Sequence, residues 1–246
     1  MMIDTHCHLS SDDYENLEEI INHMGNNLMI CSGADEKENN SVIKLINKYD
    51  NIYGTIGFHP DEVENASLTF IEDNISNPKI VGIGEIGLDY FHDTDSEKQK
   101  KLFIDQLELA RKYKKPVVIH SRDAALDTYE ILSQYRDLKM VMHCYSYSLE
   151  MAHKFIELGC KLGIGGVLTF KNAKKLVEVV ENLGMENFIL ETDSPYLTPE
   201  PHRGETNEPY NITFVAAKIA ELKNISVEEV YKITTKNACE IYDIKL

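Results

Sequence analysis

No apolar run in this 246-residue chain approaches the ~20 residues that a membrane-spanning helix needs. The first apolar segment, Met1 to Ile3, is too short for a signal-peptide core and follows no basic region, so neither a leader nor a membrane span is expected. Positive charge is also scarce: 25 Lys and Arg face 41 Asp and Glu, for a net charge of −16. Affinity for a polyanion ordinarily comes from clustered cations that release counterions. A broad nucleic-acid-gripping surface is therefore excluded, and any phosphate chemistry must be local. Cysteine is sparse as well. The five thiols, Cys7, Cys31, Cys144, Cys160 and Cys239, are odd in number and scattered, which argues against a disulfide framework and for a cytoplasmic protein with reduced thiols. Gly/Ser linkers, sequence repeats and low-complexity stretches are missing too, so residues 1–246 are expected to form a single domain.

What is present is a regular alternation. Short β-rich runs recur at Met2–Thr5, Leu28–Cys31, Ile52–Ile56, Ile80–Ile83, Pro116–Ile119, Met140–Met142, Lys161–Ile164 and Phe188–Leu190, with helical spacing of apolar residues between them. Runs such as "PVVIH" and "NFILE" are continuously apolar, as strands buried on both faces must be, and this favours a parallel sheet covered by helices. Eight such units in a chain of this length, 43% hydrophobic, predict an α/β fold, a (β/α)8 TIM barrel. The charges along Ser96 to Lys115 alternate in sign, as on a solvated helix face. Asp193 to Asn211 holds four of the seven prolines and reads as one stiffened loop over the barrel mouth. The tail from Ser226 to Leu246 reads as a packing helix, with Ser226 as N-cap and Glu229 three residues on.

Polar residues interrupt the apolar runs at one recurring place, the carboxyl end of a strand: His6 and His8, His59, Glu85, His120, His143 and Asp193. Barrel active sites are built at that end. Residues two apart on a strand face the same side, so His6 and His8 project together while Cys7 projects away. Four histidines (His6, His8, His120, His143) and two carboxylates (Glu85, Asp193) make a nitrogen and oxygen ligand set suited to divalent cations. Six ligands exceed what one catalytic metal usually takes from protein, so two cations are expected. A lone strand-end histidine is more often a hydrogen-bonded structural group; the joint pattern carries the reading. Cys7 and Cys144 each lie one residue off a histidine and read as packing, whereas His23, His92 and His153 read as surface residues.

The segments "DTHCHL", "GFHP", "GEIGLDYF", "PVVIHSRDA", "HCYS", "LETDSPYLTP" and "PHRGETNEP" resemble, in order and spacing, the successive motifs of the TatD family of metal-dependent deoxyribonucleases, within the amidohydrolase superfamily. The resemblance runs from Ile3 to about Pro209. It implies that His6, His8, Glu85 and Asp193 hold one cation and Glu85, His120 and His143 the other, with Glu85 bridging. It departs from the family pattern at "GFHPD", where Asp61 replaces the second histidine of G-x-H-P-H.

The expected activity is hydrolysis of DNA phosphodiester bonds with Zn, Mn, Mg or Co, in the manner of a 3′–5′ exodeoxyribonuclease preferring single-stranded ends, since no basic surface exists to grip a duplex. Asp193 and Glu85 are the expected catalytic carboxylates, with Asp193 as general base. Arg122 and Arg203, assisted by His59 and His202, are the candidates for binding phosphate, against the alternative that the arginines pair with Asp123 and Glu205. Lys171 is a weaker candidate. Two rival readings stand beside this one: a superfamily enzyme acting on a small phosphoester, amide or lactone, and a metal-binding protein without catalysis. Superfamily C–N hydrolases often carry a carboxylated lysine after strand four, where this chain has Glu85. A monomer is compatible with the sequence.

Overall fold

The computed structural model describes residues 1–92 and 95–246. Strands β1 (Ile3–Cys7), β2 (Leu28–Ser32), β3 (Ile52–Ile56), β4 (Ile80–Asp89), β5 (Val117–Arg122), β6 (Met140–Met142), β7 (Cys160–Ile164) and β8 (Phe188–Leu190) form one parallel sheet in sequential order. Among the described residues nine α-helices accompany them: α1 (Leu17–His23), α2 (Glu36–Lys48), α3 (Leu68–Asn74), α4 (Ser96–Tyr113), α5 (Ala125–Leu132), α6 (Leu149–Glu157), α7 (Lys174–Asn182), α8 (Ile212–Lys223) and α9 (Val227–Tyr242). This is the predicted barrel. None of these helices is long and apolar enough to cross a membrane.

The sheet closes on itself through hydrogen bonds just past its formal edges. Asp193 N–H donates to the His6 carbonyl at 2.9 Å and His8 N–H to the Ser194 carbonyl at 2.7 Å, with Cys7 and Ser194 bridged in parallel. Below them the buried Asp4 carboxylate accepts from Thr192 N–H at 3.0 Å and pairs with the Thr192 hydroxyl at 2.6 Å. The first and last strands are thereby pinned together where the chemistry-bearing residues stand.

Five strands differ from their expected bounds, β2 and β7 by a single residue each. β1 runs on to Cys7 and β5 to Arg122, and β4 continues from Ile83 to Asp89. Apolar runs mark where both faces are buried, but backbone pairing does not stop there. Gly87, Leu88 and Asp89 remain in register with His120, Ser121 and Arg122. Glu85 therefore lies within β4 and not after it. Gly87 is obligatory in this stretch: its φ is 149°, and a Cβ there would fall 1.9 Å from the His120 carbonyl oxygen.

Helix α4 shows how the outer layer fixes the mouth. It opens on Asp95, whose carboxylate accepts from Glu97 and Lys98 N–H, and it closes at Lys114 in the left-handed region. Its buried stripe, Gln99, Leu102, Phe103, Gln106, Leu107 and Ala110, follows helical spacing. The two glutamines in that stripe hold strand-end backbone. Gln99 spans Asp89 N–H and carbonyl, both at 2.8 Å, and Gln106 spans those of Phe58 at 2.8 and 2.9 Å. Ser226 caps α9 as expected, accepting from Glu229 N–H at 3.1 Å.

Candidate metal centre

The centre is assembled from strand-end side chains, and two of its ligand positions coincide with irregularities in the ladder. The register of β1 on β2 slips between Asp4 and Cys7, and that of β4 on β5 between Ile83 and Ile86. Each slip is a bulge, a device that re-aims a side chain. The first contains His6 and the second Glu85. His6 and His8 turn inward together, with their Nε2 atoms 3.1 Å apart, while Cys7 points away to the Ile30 carbonyl. His6 Nδ1 lies 3.1 Å from the Ser32 hydroxyl, which continues to Thr55, so its Nε2 is the nitrogen presented to the centre.

Glu85 stands in the middle and divides its oxygens. Oε2 faces His6 Nε2 at 3.4 Å and His8 Nε2 at 3.8 Å; Oε1 faces His120 Nδ1 at 2.6 Å and His143 Nε2 at 3.6 Å. Asp193, brought in by the β1–β8 seam, places Oδ1 between 3.6 and 3.8 Å from Nε2 of His6, His8 and His143. A further ring of carboxylates orients the imidazoles from behind. Glu38 meets His8 Nδ1 at 3.5 Å, Glu191 meets His143 Nδ1 at 3.1 Å, and Asp89 meets His120 Nε2 at 3.1 Å. Glu191 has room because β7 carries Gly163 opposite it, where a Cβ would come within 2.1 Å of its Oε2.

Burial disfavours every charge in this cluster, so the partners decide each protonation state. At His6, burial and the neighbouring His143 win, and its pKa is lowered. Elsewhere the carboxylates outweigh burial. Asp193 and Glu38 hold His8 well above the ordinary value, Asp89 and Glu85 push His120 up to about 9, and Glu191 and Glu85 push His143 up to about 10. In return Glu85, against its own burial, is held well below the usual carboxylate range by His143 and His120, and Asp193 is lowered by His143 and His8. Protons shared between imidazole and carboxylate thus neutralise a dense set of donors. Divalent cations are the other positive charges such a set accepts. Ligand atoms of His6, His8 and Glu85 lie within 4.8 Å of one another, as do those of His6, His143 and Asp193 and those of His59, Glu85 and His120. The donor set fits a cation centre by chemistry and by spacing.

Residues 3–243 match the family model described as TatD related DNase. The chain belongs to the TatD family of metal-dependent hydrolases. It is 38% identical to the metal-dependent hydrolase YabD of Bacillus subtilis, over 99% of this chain and 100% of that protein. It is 32% identical to the metal-dependent hydrolase YcfH of Escherichia coli K12, over 99% and 96%. The crystal structure of YjjV, a TatD homologue from Escherichia coli K12, superposes with a TM-score of 0.90 at 30% identity, covering 99% of this chain and 98% of that one.

In this TatD-family chain the six expected ligands, His6, His8, Glu85, His120, His143 and Asp193, converge on one mouth. All but the fully buried His6 line a cleft of about 570 Å3, which is also lined by His59 and Arg122. The structure does not bring His202 or Arg203 to that cleft. His202 pairs with Glu205 at 3.0 Å, and Arg203 lies over the Phe170 ring and donates to the Thr198 carbonyl at 2.9 Å. Both are held within the proline-rich loop, and that loop reaches the cleft through Tyr196. Lys171 is exposed and outside the lining. His92, expected at the surface, is exposed there, and it also lines the cleft with Nδ1 3.0 Å from Asp89 Oδ2, three residues past the end of the longer β4. Asp61 stands there too, 3.3 Å from His59 Nδ1. Cys144 is half-buried, and its N–H donates to Glu191 at 2.6 Å. Sequence reasoning missed Asp89, Glu38 and Glu191. Asp89 alone carried a signal, since it lies four residues beyond Glu85 on an extended strand.

Proposed function

We propose that this hydrolase cleaves phosphodiester bonds in DNA using two divalent cations, Zn, Mn, Mg or Co, working 3′–5′ from single-stranded ends. The observation that carries the reading is the division of Glu85, with one oxygen turned to His6 and His8 and the other to His120 and His143. A carboxylate so placed is the natural bridge between two cations. His6, His8 and Asp193 would complete one site with Glu85, and His120 and His143 the other. When bound, such cations supply Lewis acidity, making a water more acidic and neutralising charge on a phosphodiester.

The chain's own residues do the rest. Asp193 keeps its carboxylate ionised beside His6, His8 and His143, and it accepts the proton of the attacking water as general base. Asp89, Glu38 and Glu191 hold His120, His8 and His143 in orientation. His59, its pKa lowered by burial, stays neutral at the β3 side and can donate to a phosphate oxygen. Arg122 supplies the guanidinium at the opposite side of the cleft. His202 and Arg203 serve by holding the loop that carries Tyr196.

Preference for a free single strand is supported by charge. Seven carboxylates and one guanidinium line the cleft of a protein carrying a net charge of −16, so a rigid duplex would bring many phosphates against an acidic rim. A metal-reconstituted assay comparing linear and circular single-stranded DNA, duplex DNA, small phosphoesters, amides and lactones tests the reading. Stepwise shortening of linear single strands is the expected result. Turnover of an amide or lactone with no DNA cleaved would overturn it.

A further inference from the structure

Beside the metal cleft, and sharing Arg122 with it, lies a second concavity of about 540 Å3. It is built by Phe91 just past β4, the end of β5 with Asp123, the segment from Ser146 into the first turn of α6, and the start of α7. Its character is the reverse of its neighbour's. Where the cleft gathers carboxylates, the described residues of this groove include two cations, Arg122 and Lys175, against the single carboxylate of Asp123. Neither cation is ion-paired among the described residues.

The groove also carries an aromatic face. Phe91 is 60% exposed, an unusual position for a large ring on so charged a molecule. The Arg122 guanidinium lies over it, 3.8 Å from the centroid, and forms a cation–π platform with it. The opposite wall is fixed in place. The Tyr147 hydroxyl is tied to Ser121 Oγ at 3.0 Å and accepts from Ala124 N–H at 3.3 Å, and Met151 lies beyond it. A cation–π platform, a rigid wall and two cations without an acidic partner among the described residues are the elements that hold one unit of a single-stranded nucleic acid. The volume is that of a small-ligand pocket.

We propose that this groove seats the nucleotide adjoining the scissile phosphodiester: its base stacks on the Phe91–Arg122 platform, its sugar lies against Tyr147 and Met151, and Lys175 meets the next phosphate along the strand. Arg122, at the border, faces the scissile group on one side and the base on the other. The assignment rests on the phosphodiesterase reading. It supplies what that reading lacks, an approach for a polyanion into a cleft whose lining would otherwise repel it.

The test compares a single-stranded tetranucleotide with bis(p-nitrophenyl) phosphate, a diester with neither nucleobase nor second phosphate, on metal-reconstituted protein. Phe91→Ala and Lys175→Gln should each lower the ratio of kcat/KM for the tetranucleotide to that for the aryl diester by about tenfold, and Phe91→Tyr should restore it. Independently of turnover, the labelled Met151 methyl resonance should shift when a thymidine dinucleotide is titrated into the wild-type protein. Cleavage of both substrates with an unchanged ratio in Phe91→Ala and Lys175→Gln would overturn the groove and leave the phosphodiesterase reading standing. A wild-type protein that hydrolyses neither diester would overturn that reading, and the groove with it.

Discussion

Asp193 and Glu85 are both buried carboxylates among imidazoles, yet their geometry gives them different tasks. Glu85 turns one oxygen to each pair of histidines, whereas Asp193 turns a single oxygen to three. Asp193→Asn keeps the size and one oxygen donor but cannot accept a proton near neutral pH. Cation content should therefore be largely retained while single-strand cleavage falls by roughly 10²–10⁴-fold, the range for losing a general base. Metal analysis beside a turnover assay checks this, and near wild-type turnover with cations bound would place the base elsewhere. The convergence of the six candidate ligands was legible because residue type and position agreed: His6 and His8 two apart, and Glu85, His120, His143 and Asp193 each at the end of an apolar run. Glu38 and Glu191 were not legible, and Asp89 only by its spacing from Glu85, because each acts only through the histidine it touches, from a different element. Arg203 and His202 had the right chemistry, but sequence does not say which way a loop side chain turns.

Strand count, order and parallel sense followed from the alternation of apolar runs with helical spacing. The ends of β1, β4 and β5 did not. Backbone pairing carries β4 to Asp89 and β5 to Arg122, past the point where hydropathy falls. The bulges at His6 and Glu85 leave no mark in composition, though they aim both residues. Helix α4 matters to the centre for a similar reason. Gln99 is a buried polar residue whose whole amide is spent on the Asp89 backbone, which in turn carries the carboxylate that orients His120. Gln99→Leu would leave a buried N–H and a buried carbonyl unpartnered, at a cost of about 1–3 kcal/mol. Urea unfolding should show a lower midpoint with unchanged slope, and cation affinity should weaken as His120 loses its support. An unaltered midpoint would mean that the Asp89 backbone finds other partners.

Across the whole molecule, the fold concentrates negative charge at one mouth of an already acidic protein and relieves it there with protons, or with cations when they bind. Cations that bind only the folded chain stabilise it by mass action, by about 2.7 kcal/mol for a site at one hundred times its Kd. In a chain of this length that corresponds to roughly 5–10 °C in Tm. Chelation should lower Tm by that order, and readdition should restore it; a Tm indifferent to chelator would mean that the six residues bind no cation in the folded state. The most direct measurement is a cation titration of stripped protein, wild type and Glu85→Ala, followed by cleavage of linear single-stranded DNA. The account predicts that wild-type activity rises to saturation at two equivalents per chain, and that Glu85→Ala binds both cations weakly and stays inactive over the same range. Saturation at one equivalent, or full activity in Glu85→Ala, would contradict the bridged two-cation centre.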